Sequence, residues 1–116
     1  MNPTKIKITI NKKIFTATLA NNKTANAFKS KLPLSIKMIE LNGNEKYGEL
    51  SNPLPTESIN PGRIQVGDLM LYGNQTLVLF YKNLNTSYQY TKIEKIDDVE
   101  HLFEALGDGN TTITIE

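Results

Sequence analysis

The thirteen residues Leu69 to Tyr81, LMLYGNQTLVLFY, constrain the fold more than any other part of this chain. Two apolar runs flank Gly73-Asn74, a pair that supplies the positive φ angles of a two-residue hairpin turn. The stretch therefore predicts two antiparallel strands. Leu77 to Tyr81 is apolar at every position, so the second strand must be covered on both faces; the later of the two predicted helices is a candidate cover for one of them.

The other strands follow from period-2 alternation. Ile6, Ile8 and Ile10 share one face, and after an NKK turn Phe15, Ala17 and Leu19 share another, which predicts a β-hairpin over residues 5–19. Thr111 to Ile115 repeats the pattern with Ile113 and Ile115. SYQYTKIEKI reads as a strand with Tyr88 and Tyr90 on one face. Two helices interrupt the strands. The first carries Ala25, Phe28 and Leu32 on one face, has Asn22 or Thr24 to cap it, and ends before Pro33, with Phe28 as a core plug. The second places Val99, Leu102, Phe103 and Leu106 at i, i+3, i+4, i+7, with Asp97 and Glu100 as a capping pair and Gly107 as its stop.

Twice the alternation changes parity. Leu34, Ile36 and Met38 give way to Ile39 and Leu41, and Ile64 and Val66 give way to Leu69 and Leu71 across Gly67-Asp68. A β-bulge near Met38 would keep both apolar sets on the core, and two sharp bends suit a sheet that closes on itself. Pairing of the last strand with the first would complete the closure. The prediction is mainly β: a closed, eight-stranded antiparallel barrel with two short helices, in one domain over residues 1–116. Residues 43–63, rich in Gly and Pro, read as a long loop with at most one short strand around Tyr47 to Leu50.

Several chemistries are disfavoured at the outset. Thirteen basic and twelve acidic residues leave a net charge of +1, too little to attract nucleic acid or an anionic membrane. There is no cysteine, and the single histidine, His101, falls on the polar side of its helix, so no thiolate chemistry, metal site or serine-histidine pair is expected. No phosphate-binding glycine motif occurs, and no cofactor is anticipated. MNPTKIKITI lacks the pattern of a secretory signal, which as written predicts a soluble, cytoplasmic protein; a signal removed beforehand would leave no trace. Asp68 beside Gly67 reads as an acceptor for its own turn.

The residues left for a binding site are Arg63, the sole arginine, and the five tyrosines Tyr47, Tyr72, Tyr81, Tyr88 and Tyr90. A guanidinium offers a rigid planar fork, and a ring with a polar tip suits the lip of a cleft. The plain reading of Arg63 is a surface residue on a loop leading into a strand.

LNGNEKYGEL, PGRIQVGDLMLYGNQTLVLFY and SYQYTKIEKI, in that order and spacing, resemble the small bacterial and archaeal cyclophilin-like family over most of the chain. The resemblance implies an eight-stranded barrel with a helix at each end. Cyclophilins are prolyl isomerases whose arginine lies on the strand after the first helix, in a Phe-His-Arg type sequence followed by a glutamine-containing block. Here that strand reads LSIKMIEL, with Lys37 its only cation, and Arg63 comes too late to match. The family pattern also carries glycine where Glu94 stands. No catalytic residue is carried over. The leading expectation is a non-catalytic module that binds a peptide or small ligand in a cleft lined by some of Tyr47, Arg63, Tyr72, Tyr81, Tyr88 and Tyr90. The alternatives are a prolyl isomerase with a rearranged site using Arg63 or Lys37, and a structural or oligomerisation domain.

Overall fold

In the computed structural model, which describes residues 4–116, alternation becomes pairing along most of the chain. Residues 1–3, which carry part of the N-terminal stretch read above, lie outside the described residues. Strand β1 (Lys5–Ile10) turns through Asn11 and Lys12, with φ of 48° and 71°, into β2 (Lys13–Leu19). Positive φ at both turn residues is the geometry that matches strand twist. Helix α1 (Lys23–Lys29) is capped by Asn22, whose side-chain oxygen accepts from Ala25 N at 2.7 Å. Phe28 on α1 is fully buried, the plug expected of it.

Strand β3 (Leu34–Leu41) and β4 (Glu45–Glu49) form the next pair. A short β5 (Arg63–Ile64) precedes the predicted hairpin of β6 (Asp68–Tyr72) and β7 (Thr76–Phe80). After a short β8 (Leu84–Asn85) come β9 (Thr91–Ile96), helix α2 (Leu102–Leu106) and β10 (Thr111–Ile115). Eight strands close in the order β1-β10-β3-β4-β7-β6-β9-β2, every pair antiparallel, while β5 and β8 form a separate two-stranded ribbon. The predicted barrel and its closure through the first and last strands are both present. No helix of the described residues is long and apolar enough to cross a membrane.

The interior holds Ile6, Ile8, Ile10, Phe15, Met38, Leu69, Leu71, Leu77, Leu79, Ile113 and Ile115. The turn after β1 donates from Asn11 Nδ2 to Ala105 O, which seats α2 at that end; α1 follows β2 at the opposite end. Phe28 from α1 and Leu102, Ala105 and Leu106 from α2 complete the core.

Four expectations are corrected. First, β3 carries no bulge: Leu34 to Leu41 stays in register with both neighbours, so Glu40 continues the inward face and Ile39 and Leu41 face out. Second, the parity change at Gly67 is a change of sheet, with Ile64 on the ribbon and Leu69 in the barrel. Between them a turn closes with Gln65 N donating to Asp68 Oδ2 at 2.9 Å, the role expected of Asp68. Third, the outer face of β7 is covered by Ile64, Leu84 and Tyr90 rather than by α2; together with Met70, Val78 and Phe80 they make a second, smaller core. Fourth, α2 begins only at Leu102, and Asp97 caps nothing: its carboxylate accepts from Thr18 Oγ1 at 2.6 Å and Lys5 Nζ at 3.0 Å. Phe103 is therefore half-exposed rather than buried.

The bend itself sits in β9, where Leu69 pairs with Glu94 but Met70 pairs with Lys92, leaving Ile93 as the extra residue. Gly67 turns the chain into β6 at φ +94°, and a Cβ there would lie 2.6 Å from Val99 Cγ1. Strain and overlap act together, so Gly67→Ala should lower stability by about 1–3 kcal/mol in urea unfolding. Gly73→Ala, also at positive φ but with open space around it, should cost less.

Candidate functional site

Register decides what the outer face of β4, β7 and β6 presents. Tyr47 is opposite Val78, which is opposite Met70; one row along, Glu49 is opposite Thr76, which is opposite Tyr72. Paired residues share a face, and period 2 adds Glu45 to the side that bears Tyr47 and Glu49. The segment between β8 and β9 crosses this face and is pinned by reciprocal backbone hydrogen bonds between Ile59 and Tyr90, both 2.9 Å. It delivers Tyr88 and Tyr90 onto Tyr72. The Tyr72 and Tyr90 rings lie 5.5 Å apart, Tyr72 and Tyr88 6.3 Å apart at 84°, and Phe80 meets Tyr90 edge to face at 5.6 Å.

The result is an open cleft of about 330 Å³ lined by Tyr47, Tyr72, Tyr88 and Tyr90, with Leu41, Val78, Glu45 and Glu49. Tyr90 is its buried floor at 6 % exposure, whereas Tyr72 and Tyr88, at 48 % and 62 %, stand at the rim. Burial, and then the charge of Glu45, raise the Tyr90 hydroxyl above its usual value. Burial, and then the charge of Glu40, raise the Glu45 carboxyl.

Four of the six residues singled out in the sequence thus come together, and two do not. Arg63 lines a different cleft, of about 210 Å³, with Gln65, Asp68, Lys92, Glu94 and Lys95. Tyr81 points into the barrel, where its hydroxyl donates to Glu40 at 2.7 Å and its ring packs against Phe103 at 5.2 Å. Lys37, on the exposed side of β3, lines neither cleft. His101 is partly exposed at the start of α2, with Nδ1 3.2 Å from Glu104, in keeping with a surface role. Among the described residues no cluster of His, Asp and Glu is arranged to hold a metal ion.

Glu40 joins a polar plug at the α2 end of the barrel. Lys46 is fully buried, donates to Glu40 Oε1 at 3.0 Å and to the carbonyl of Gly109, and lies 5.5 Å from the centre of the Tyr81 ring. Burial pushes the Glu40 carboxyl up, but hydrogen bonds from Tyr81, Lys46 and Gly43 N outweigh it and hold it below its usual value. Burial and then Glu40 push the Tyr81 hydroxyl up to about 12.

The sequence reading missed Glu45 and Glu49, although the alternation Glu45, Tyr47, Glu49 marks them as one face of a strand. The glycine and proline around that stretch led to a loop. It also gave no role to Glu94, which lies at the β9 bulge with both carboxyl oxygens buried and unpartnered among the described residues. Burial raises its pKa to about 8.

A closed eight-stranded antiparallel barrel, plugged at each end by a short helix and carrying its clefts on the outer surface, defines a cyclophilin-like domain. The model of the Cyclophilin-like family matches residues 8–116, and the chain belongs to that family. The structure is similar to the solution structure of the hypothetical protein AF2241 from Archaeoglobus fulgidus, with a TM-score of 0.62 over 98% of this chain and 94% of that chain. At 15% identity this likeness bears on the fold alone. No curated protein matches the chain.

Two buried groups give opposite predictions. Lys46→Met leaves Glu40 and the Gly109 carbonyl without their cation and should destabilise the barrel by about 3 kcal/mol in urea unfolding. Glu94→Met removes a carboxyl that nothing compensates and should stabilise it by about 1–3 kcal/mol at pH 8. The sign follows from linkage. The folded-state pKa of Glu94, about 8, lies above its ordinary value of 4.5, so its contribution is full below pH 4.5 and is lost as pH rises through about 8. Unfolding measured from pH 4.5 to 8.5 should show a decline in the parent that is shallower in Glu94→Met.

Proposed function

We propose that this domain is a non-catalytic binding module whose outer cleft takes a peptide segment or a small ligand. The observation that carries the reading is the convergence of Tyr47, Tyr72, Tyr88 and Tyr90, from β4, β6 and the segment before β9, on one concave surface. Tyr72 and Tyr88 belong to neither apolar core and are substantially exposed at the rim. Rings placed there provide large contact area at low conformational cost. The cleft is at the small end of the roughly 300–1,000 Å³ usual for ligand sites, which suits a short segment.

Prolyl isomerisation asks for a donor that draws the proline nitrogen out of amide resonance, against a barrier of roughly 20 kcal/mol. Among the described residues no lysine or arginine lines the tyrosine cleft, and the cleft that holds Arg63 lacks the tyrosines. The geometry therefore favours binding over isomerisation.

The test is NMR on isotopically labelled protein titrated with a panel of blocked, proline-containing tetrapeptides that differ at one position. Shifts should concentrate at the amides of residues 45–49, 72, 88 and 90. They should weaken at least tenfold in Tyr88→Ala, and cis/trans exchange of the peptides should stay at its uncatalysed rate. Exchange accelerated by sub-stoichiometric protein and lost in Arg63→Ala would replace binding with catalysis. A dimer in light scattering that dissociates in Tyr72→Ala would replace it with self-association.

A further inference from the structure

We infer that the tyrosine cleft selects an arginine side chain presented by an extended peptide, an inference that rests on the binding reading above. The charge balance of the lining is one-sided. Glu45 and Glu49 contribute two carboxylates, and among the described residues no cation lines the cleft. Among the described residues neither carboxylate takes part in an ion pair, although Lys46 stands between them in sequence. Alternation explains this: Lys46 points into the barrel and is spent on Glu40 and Gly109, so the strand that bears the acids turns its only cation away from them. Glu49 accepts from the Thr76 hydroxyl at 2.8 Å, and the Glu45 carboxylate has no hydrogen-bond partner among the described residues.

Beside these acids the rings supply the second half of a cation site. A cation over a tyrosine face is attracted by the ring quadrupole, and more strongly where water is excluded. The Tyr72 and Tyr88 rings stand nearly perpendicular with centroids 6.3 Å apart, already close to one another, so a group docking from the cleft side stacks on an exposed ring face and does not insert between them. A guanidinium suits this better than an ammonium. It is flat enough to stack on a ring while its edge donates a pair of hydrogen bonds to a carboxylate. The raised Glu45 carboxyl is consistent with a half-buried acid that lacks its counter-ion.

A peptide, rather than a free guanidinium compound, is indicated by what lies alongside. Leu41 lines the cleft, Ile39 is its neighbour on the same face of β3, and Ile59 is exposed on the segment bridged to Tyr90. Three exposed apolar side chains next to the charged pocket offer contact to the residues flanking an arginine. With a net charge of only +1, the protein draws in its ligand by this local field and not by a global one. Binding is therefore salt-sensitive on the scale of a few contacts.

The experiment compares three blocked tetrapeptides identical except for arginine, citrulline or glutamate at one position, titrated into the parent and into the double variant Glu45→Gln/Glu49→Gln. Citrulline keeps the shape of arginine and removes its charge. The arginine peptide should shift the amides of Tyr47, Tyr72, Tyr88 and Tyr90 and bind at least tenfold more tightly than the citrulline peptide. That preference should collapse to less than threefold in the double variant, whose amide spectrum otherwise reports an intact barrel. Equal binding of the arginine and citrulline peptides overturns the arginine inference and leaves the cleft as a neutral peptide site. Absence of shifts with all three overturns both this inference and the binding reading on which it rests. An arginine preference undiminished in the double variant also overturns the assignment, and shifts confined to residues 63–68 and 92–95 overturn it and move the site to the Arg63 cleft.

Discussion

The ladder between β1 and β10 is the contact on which the rest of the molecule depends. Ile8 pairs with Ile115, Thr9 with Thr114 and Ile10 with Ile113, and Lys7 and Glu116 exchange backbone hydrogen bonds of 2.8 and 2.9 Å. These few bonds join the two ends of the chain and turn an eight-stranded sheet into a barrel. Closure removes the two edges that would otherwise invite pairing with other chains. It also creates an inside, and only then do α1 and α2 have openings to plug. Because the first and last strands must meet, folding includes contacts of the longest sequence separation available, the kind that form slowly and late.

Once inside and outside exist, β3 and β4 divide the remaining chemistry between them. Their inward positions include Glu40 and Lys46; their outward positions include Ile39, Leu41, Glu45, Tyr47 and Glu49. A polar plug at one end of the barrel and an aromatic, acidic cleft on its surface are thus two faces of the same strand pair. Register links them. A slip of one residue would expose Lys46 and bury Tyr47, losing the plug and the cleft together. Lys46 is affordable inside because its stem crosses apolar surroundings and its charge meets Glu40, the Gly109 carbonyl and the Tyr81 ring.

Local signals were legible wherever a short stretch determines its own geometry. The hairpin at Gly73-Asn74, the cap at Asn22, the plug at Phe28 and the turn role of Asp68 could all be read from residues within a few positions of one another, whereas the strand read from Ser87 begins only at Thr91 and Tyr88 and Tyr90 precede it. The signals that misled were those in which apolar character was taken to mean inward. Ile39 and Leu41 suggested a bulge because the rule that apolar residues seek the core has no place for an inward glutamate with its own lysine. Phe103 suggested a longer second helix, yet it packs on Tyr81 from the half-exposed side. Glu94 stands at the β9 bulge, and no alternation rule flags a carboxyl that is buried without a partner among the described residues.

By itself the sequence determined the alternation, the turns and the matching first and last strands, and hence a closed antiparallel barrel with two helices. These depend on periodicity and on φ preferences, which act over a few residues. Tertiary structure alone decided that Tyr47, Tyr72, Tyr88 and Tyr90 share a cleft while Arg63 lies elsewhere and Tyr81 turns inward. Those outcomes depend on which strands become neighbours and in what register. Residues 47 and 90 meet because β4, β7 and β6 are adjacent in the barrel and Ile59 pins the crossing segment, a relation that no local pattern encodes.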